Sequence, residues 1–290
     1  MYIRRLYVLV AMVAGFIALT PVSVHAAQGE SIVMSPASNR FHIDAGETVH
    51  KTFTIINDGT VDLHFKVYAN PYSVSNKTYL PNYDAKPVNA DLYTWVTFEK
   101  DDWHLKTGEP VEISYTLSVP QDAAPGGHYS VIFAETEVNN QDGGQIQRQK
   151  RVGAIQYTTV RGEYVTSGKD IGARIDWLQL GGTIQASLSV DNTGNADFVT
   201  ETLLKIENIF GSKVYEDKKP YIVLPKTTRD IPLNWENGAS IGLYQVTVES
   251  LVLGNVTTHK TWVLLMPLWL LLVAPIVIAV LVYLALRSRR

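Results

Sequence analysis

Seven histidines, 28 acidic residues and no cysteine set the chemistry open to this 290-residue chain. Without cysteine there is no thiol nucleophile, disulfide, iron–sulfur cluster or Cys-ligated zinc. The histidines are His25, His42, His50, His64, His104, His128 and His259, and no pair has the His-Glu-x-x-His spacing that presents two imidazoles to zinc. His50 and His64 either face each other across a hairpin or point to solvent. A pair alone falls short of the three or four ligands zinc needs. Glu99-Lys-Asp-Asp102 gathers three carboxylates without calcium-loop spacing, and is expected as an exposed acidic turn. There is no Gly-x-Ser-x-Gly elbow, Ser-x-x-Lys pair, P-loop or dinucleotide fingerprint. Two glycosidase carboxylates need only meet in space, so spacing does not address them. The expectation is no enzyme: no catalytic residue, no metal and no cofactor.

Aromatic residues offer binding chemistry instead. Tyr72, Tyr79 and Tyr83 lie in the stretch Asn70–Ala90, with Tyr93 just after it and Trp103 beside the acidic turn. Exposed Tyr and Trp stack on sugar faces or anchor a protein partner, whereas buried ones cover the end of a core. These five are the candidate contacts to a ligand or partner. The stretch itself is long, holds three prolines and lacks alternation, which suits a functional excursion between strands.

The elements that would position these residues are strands. Val49, Lys51, Phe53 and Ile55 share one parity, and Leu63, Phe65, Val67 and Ala69 follow Asn57-Asp-Gly59, which reads as a hairpin. Val111 to Val119 alternates and stops at Pro120. Tyr129, Val131 and Phe133 begin another strand. Asn139–Gly144 reads as a hairpin loop before Ile155, Tyr157 and Thr159. The order recurs in Ile184–Val190, Asp191-Asn-Thr-Gly-Asn195, Leu204–Asn208 and Gly242-Leu-Tyr244, the last echoing Gly127-His-Tyr129. This is a divergent tandem repeat. Tyr129 and Tyr244 either form a tyrosine-corner hydrogen bond or are plain core aromatics. The expected fold is all-β: two tandem Ig-like β-sandwich modules, residues 27–166 and 167–261, with one C-terminal transmembrane helix.

Both ends of the chain are apolar. Arg4 and Arg5, the run Leu6–Leu19, and small residues before Ala26 describe a secretory signal peptide over residues 1–26, cleaved after Ala26. An uncleaved anchor is the alternative. Residues 262–286 form an uncharged stretch long enough to span a bilayer as a helix, with Pro275 as an expected kink. Trp262, Trp269 and Tyr283 fit interfacial anchors, and Arg287, Arg289 and Arg290 form a basic tail, residues 287–290, that stays in the cytoplasm. The expected location is the cell membrane, single-pass, with the N-terminal region exported. Residues 27–261 hold all 28 acidic residues against 20 Lys and Arg, so nucleic acid is an unsuitable partner.

The exported region resembles the WxL-interacting proteins of Gram-positive surfaces, and the wider group of exported Ig-like proteins with a C-terminal anchor. The resemblance rests on Ala45-Gly-Glu47, Phe53–Asn57, Trp95, Leu105-Lys-Thr-Gly-Glu109, Tyr115–Pro120, Ala124-Pro-Gly-Gly127, Tyr129 and Ile132-Phe133. In the second module it rests on Asn192-Thr-Gly-Asn195, Ile206-Glu-Asn-Ile-Phe-Gly211, Val223-Leu-Pro225 and Arg229. It implies peptidoglycan binding by the first module and partner or host-surface binding by the second. The expected function is a non-catalytic membrane-anchored surface protein that binds cell-wall glycan or a protein partner. The alternative is a structural accessory subunit of a membrane assembly, with its specificity in the transmembrane helix.

Overall fold

The computed structural model describes residues 29–137, 149–236 and 241–288. The signal-peptide segment, the Asn139–Gly144 loop, Arg289 and Arg290 lie outside them. In chain order the first eleven strands are β1 (Ile32–Ser35), β2 (Ser38–Ile43), β3 (Thr48–Asn57), β4 (Leu63–Pro71), β5 (Ser73–Val74), β6 (Pro81–Asn82), β7 (Val96–Phe98), β8 (Asp102–Leu105), β9 (Pro110–Ser118), β10 (Gly126–Thr136) and β11 (Arg151–Val160). A 3-10 turn at Leu92–Trp95 precedes β7. Then come β12 (Gly168–Ile175), β13 (Leu178–Leu180), β14 (Ile184–Asn192), β15 (Phe198–Asn208), β16 (Lys213–Val223), β17 (Thr227–Trp235), β18 (Gly242–Val252), β19 (Asn255–Met266) and the helix α1 (Leu268–Ser288).

The sheets divide along the chain. In the N-terminal half, sheet β1-β3-β9-β7 faces sheet β2-β11-β10-β4-β8 across a core that includes Phe53, Ile55, Phe65, Leu92, Ile113 and Ile132. In the C-terminal half, β12-β14-β17 faces β13-β19-β18-β15-β16 across Leu188, Leu204, Ile231, Val246 and Val263. Pairing is antiparallel except for β2 against β11 and β13 against β19, which are parallel, and facing sheets of this kind bury one parity of most strands.

The expected hairpin at Asn57-Asp-Gly59 is corrected. β3 and β4 belong to opposite sheets, so the chain crosses from one layer to the other there. The buried Asn57 explains the crossing. Its Oδ1 accepts from Gly59 N at 3.0 Å, while its Nδ2 donates to Val61 O at 2.8 Å and Leu105 O at 3.2 Å. Asn192 repeats this between β14 and β15, accepting from Gly194 N at 2.9 Å and donating to Ala196 O at 2.9 Å and Val223 O at 2.8 Å. A Cβ at Gly59 or Gly194 would stand 2.6 or 2.3 Å from backbone, so the second residue after each Asn must be glycine. His50 and His64 consequently do not face each other. His64 packs on His104 at 4.4 Å between ring centres, and His50 Nδ1 lies 3.0 Å from Thr116 Oγ1.

The C-terminal apolar run is also corrected. Trp262 to Met266 is strand, not helix: Tyr244 pairs with Val263 and Gly242 with Leu265. Val263 and Leu265 are fully buried in the core, while the alternate residues face outward. Hydropathy does not separate a strand end from the helix that follows when both are apolar. Pro267 ends the strand, since it has no N–H for a ladder, and sits where a helix start tolerates it. The described side chains of the helix α1 are not buried, an 18-residue window within Leu268–Arg287 has a mean hydropathy of 2.8, and the 21 residues of the helix reach ~31 Å. By length and composition it can cross a bilayer. Trp269 is exposed in its first turn, position 283 and Pro275 lie inside it, and Arg287 is in its last turn.

A soluble fragment ending at residue 261 therefore lacks the core side chains of Val263 and Leu265. Relative to a fragment 27–267, the fragment 27–261 is expected to lose ~3–6 kcal/mol from its C-terminal half. Urea melts of the two fragments measure this, and equal midpoints would refute the strand assignment.

Candidate functional site

Strand β10 is buried on both faces. Its even residues Ile132 and Ala134 enter the N-terminal core. Its odd residues Tyr129, Val131 and Phe133 join Tyr157, Tyr72 and Leu224 in a separate cluster at the junction of the two halves. Ring centres there stand 5.9 Å apart for Tyr129 and Tyr157, 6.3 Å for Tyr72 and Tyr157, and 5.0 Å for Tyr83 and Phe133. Such edge and tilted contacts add to the area each ring buries.

The excursion Asn70–Ala90 forms much of this junction. Lys77 N donates to Thr228 O at 2.7 Å, Asp230 N to Lys77 O at 3.0 Å, and Thr228 N to Asn76 Oδ1 at 2.8 Å. Tyr79 Oη accepts from Leu224 N at 2.6 Å. The Arg229 guanidinium lies between the rings of Tyr79 and Tyr221, at 4.1 and 4.9 Å, and donates to Ile222 O. Burial pushes the Tyr79 phenol up to about 12, and raises Tyr72, Tyr129 and Tyr157 in the same way.

An ion pair closes the junction. Asp197, with a side chain only 2% exposed, accepts from Arg40 Nη2 at 2.6 Å and from Tyr129 Oη–H at 2.9 Å. Its own backbone N–H donates to Tyr129 Oη at 3.1 Å. Asn195, two residues earlier, takes Gly127 N on its carbonyl at 2.8 Å and donates Nδ2 to Pro125 O at 3.1 Å. Beside these contacts opens a cleft of about 810 Å³. Tyr72 and Leu224 form its floor, Val74, Pro87, Val88 and Pro225 its apolar walls, and Asn89, Asn195, Lys86 and Lys226 its polar margin. Among the described residues, none that lines it is acidic.

The five sequence-predicted contacts fare differently. Tyr72 is buried in the junction and lines the cleft, while Tyr79 is half-buried in the same cluster with its hydroxyl accepting from Leu224 N. Tyr83 is half-buried in the same cluster. Tyr93 is half-buried with Lys86 Nζ 5.4 Å over its ring. Trp103 packs on the edge of the N-terminal core, with Lys100 Nζ 4.5 Å over its ring and Nε1 donating to Lys100 O. Each Gly-x-Tyr tyrosine lies over its glycine: a Cβ at Gly127 would stand 1.9 Å from Tyr129 Oη, and one at Gly242 2.8 Å from the Tyr244 ring.

Sequence reasoning missed one constellation. Ser250 Oγ donates to Asp170 Oδ2 at 2.5 Å, and His259 Nε2 lies 3.1 Å from both Asp170 oxygens. A nucleophilic relay needs the histidine between serine and carboxylate. Here the carboxylate stands between the other two, so the arrangement pins β12 to β18 and β19 across the sandwich. Among the described residues, no group of three His, Asp or Glu could hold a metal.

No family model matches the chain, and no curated protein does. Among solved structures, the chain is similar to the class 5 fimbriae chaperone CfaA at 10% identity, over 80% of this chain and 99% of that one, with a TM-score of 0.41. It is similar to the E. coli chaperone DraB at 12% identity, over 80% and 98%, with a TM-score of 0.39. A PapD-like domain of human CEP192 aligns at 12% identity over 50% of this chain and 99% of that one, with a TM-score of 0.31. The likeness is loose and extends to no site.

Two outcomes are expected at the junction. Arg40→Ala leaves the buried Asp197 charge without its cation. Because Arg40 is 37% exposed, the cost is about 2–3 kcal/mol, below the ~3–5 of a fully buried pair. Calorimetry should show the single transition broadening or splitting as the halves uncouple. The second outcome concerns alkali. The folded chain keeps the Tyr79 proton above its ordinary value of 10.0, up to about 12. Between those values the unfolded chain has released protons the folded one retains, so stability falls as pH rises. The thermal midpoint should drop through this window, with phenolate absorbance rising as the protein unfolds, and Tyr79→Phe should make the drop shallower.

Proposed function

We propose that the chain is a non-catalytic surface protein that binds a polypeptide partner in the junction cleft. In this reading it is exported, carries two tandem Ig-like modules, and is held on the cell membrane by α1 with its basic tail inside. The observation that carries the reading is the lining of the cleft: an apolar floor and walls, two lysines, two asparagines and no acidic residue among those described. Such a lining suits an apolar peptide segment bearing an acidic group.

Glycan is less well supported. Stacking on a sugar needs aromatic faces open to water. Tyr72 and Tyr79 are packed between the halves, and lysine ammonium groups lie over the rings of Tyr93 and Trp103. The resemblance to WxL-interacting proteins belongs to this proposal in its partner-binding aspect. The accessory-subunit reading is favoured by one observation, the unburied apolar length of α1.

A photoreactive amino acid at position 88 of the full chain, in its native envelope, should give covalent adducts with polypeptide. Glycan adducts would overturn the proposal. Adducts from position 276 of the helix with none from position 88 would favour the accessory subunit. Val88 is 90% exposed, so Val88→Asp should leave the thermal midpoint unchanged. It should weaken binding of the captured partner about tenfold, the effect of losing ~1.4 kcal/mol at one apolar contact.

A further inference from the structure

Ile209 and Phe210 form the tip of the β15–β16 hairpin, and Phe210 is 85% exposed. The tip is a firmly built turn. Asn208 Oδ1 accepts from Phe210 N at 2.9 Å and Ser212 N at 3.0 Å. Asn208 O accepts from Gly211 N at 2.9 Å, and Asn208 N donates to Ser212 O at 3.0 Å. Gly211 has a φ of +77°, which a side chain would disfavour. The turn, held by four hydrogen bonds, presents two large apolar side chains to the outside.

The register shows where the tip points. Asn208 pairs with Tyr244, and Tyr244 with Val263. The three strands are thus level at that row, and β19 continues from it through Met266 to Pro267 and α1. Phe210 lies two residues beyond the row. At ~3.3 Å per residue it reaches at most ~7 Å further, which is level with Leu265 and just short of the helix. β15 is two strands from β19, so the tip stands ~10 Å to the side of β19, the strand that leads into the helix. The same end of the same sheet exposes Trp177, Leu243 and Trp262, with Leu178 paired to Leu264 beside them. At mid-sheet the outward face turns polar, with Lys205, Glu249 and Lys260.

We propose that this lower rim is a second membrane contact: Ile209 and Phe210 enter the bilayer interface beside the span, with Trp177 and Trp262 at headgroup level. The inference rests on the reading of α1 as a membrane span. Continuity decides the occupant. One residue separates β19 from the helix, so whatever surrounds the first turn of α1 also meets a rim level with it. A headgroup layer several ångströms deep matches the height of the tip, and tryptophan favours that layer. The contact fixes the C-terminal half upright on the membrane at two points instead of one.

The chain has no cysteine, so one introduced cysteine can be labelled uniquely. Three full-length variants, Phe210→Cys, Ile276→Cys and Val256→Cys, would carry an environment-sensitive fluorophore. They would be reconstituted in vesicles of phosphatidylcholine and phosphatidylglycerol with brominated acyl chains. Position 276 tests the span. Val256 is an exposed apolar residue at the far end of β19, seven residues or ~23 Å above Val263, and controls for general stickiness. Positions 210 and 276 should be quenched several-fold by the lipid bromines, and position 256 should not. Quenching at 276 but not 210 overturns the rim contact and leaves the span standing. Absence of quenching at 276 overturns both. A label at 210 that is shielded from aqueous iodide yet untouched by lipid bromines means a protein covers the tip, and also overturns the proposal.

Discussion

A buried carboxylate governs this molecule. Asp197 stands one residue before β15, almost wholly out of water, and its partners come from the other half of the chain. An uncompensated charge there would cost several kcal/mol, so the halves are held where Arg40 and Tyr129 can reach it. Burial and the Asp197 charge both raise the Tyr129 phenol, which keeps it a neutral donor to the carboxylate. Asn195 and Pro125 meet two residues away. The cleft is lined by Asn195 on one side and by the excursion on the other, so its width follows from the same contacts.

The second constraint is the two-sided burial of β10. In an isolated N-terminal half this second face, with Tyr129, Val131, Phe133 and Tyr157, would keep Tyr72 and Tyr83 over it but would lose Leu224 and Ile222. The excursion and the turn after β16 cover that face. The differences between the two halves follow. Both halves keep the buried Asn-x-Gly crossing and the Gly-x-Tyr strand, because these serve each sandwich internally. Only the first half inserts a long stretch, residues 72–95, between β4 and β7, and only that half presents a second apolar face. Tyr129 and Tyr244 share a place in the repeat, yet one hydroxyl crosses the junction while the other ring packs in its own core against Trp235.

How much was legible in the sequence depended on range. Strands with one buried parity, such as β9 and β14, declare themselves by alternation. The Asn-x-Gly elements were visible as turns, but a local Asn bond to Gly N is common to hairpins and to crossings. What separates them is the bond to Leu105 O, 48 residues away, which no local pattern encodes. The packing of Tyr72 and Tyr79 against the second half leaves no local signal, because a tyrosine in a proline-rich stretch looks the same whether a ligand or another part of the chain covers it. Arg40 and Asp197 are 157 positions apart, and Asp170 and His259 are 89 apart, so neither pairing leaves a spacing signal. The end of β19 was hidden for the opposite reason: strand core and helix are both apolar, and one hydropathy run covers both.

The join between β19 and α1 connects the two ends of the argument. One proline leaves little freedom between the last strand and the helix, so the orientation of the C-terminal half is tied to that of α1. Leu251 pairs with both Glu201 and Val256, which places the start of β15, and with it Asp197, at the end of β19 farthest from the helix. From Val256 to Met266 is ten residues of strand, or ~33 Å. On the membrane-anchored reading, a sheet standing upright would hold the cleft up to about that far above the bilayer, by a rigid strand pair and not by a tether. Rigidity matters because a flexible linker would dilute the cleft over a wide volume, whereas a fixed post presents it at one height to a partner of matching reach. The ion pair at Asp197 lies at the end of this sheet farthest from the helix, where it and the Asn195–Pro125 contact hold the N-terminal half and the wall of the cleft in place.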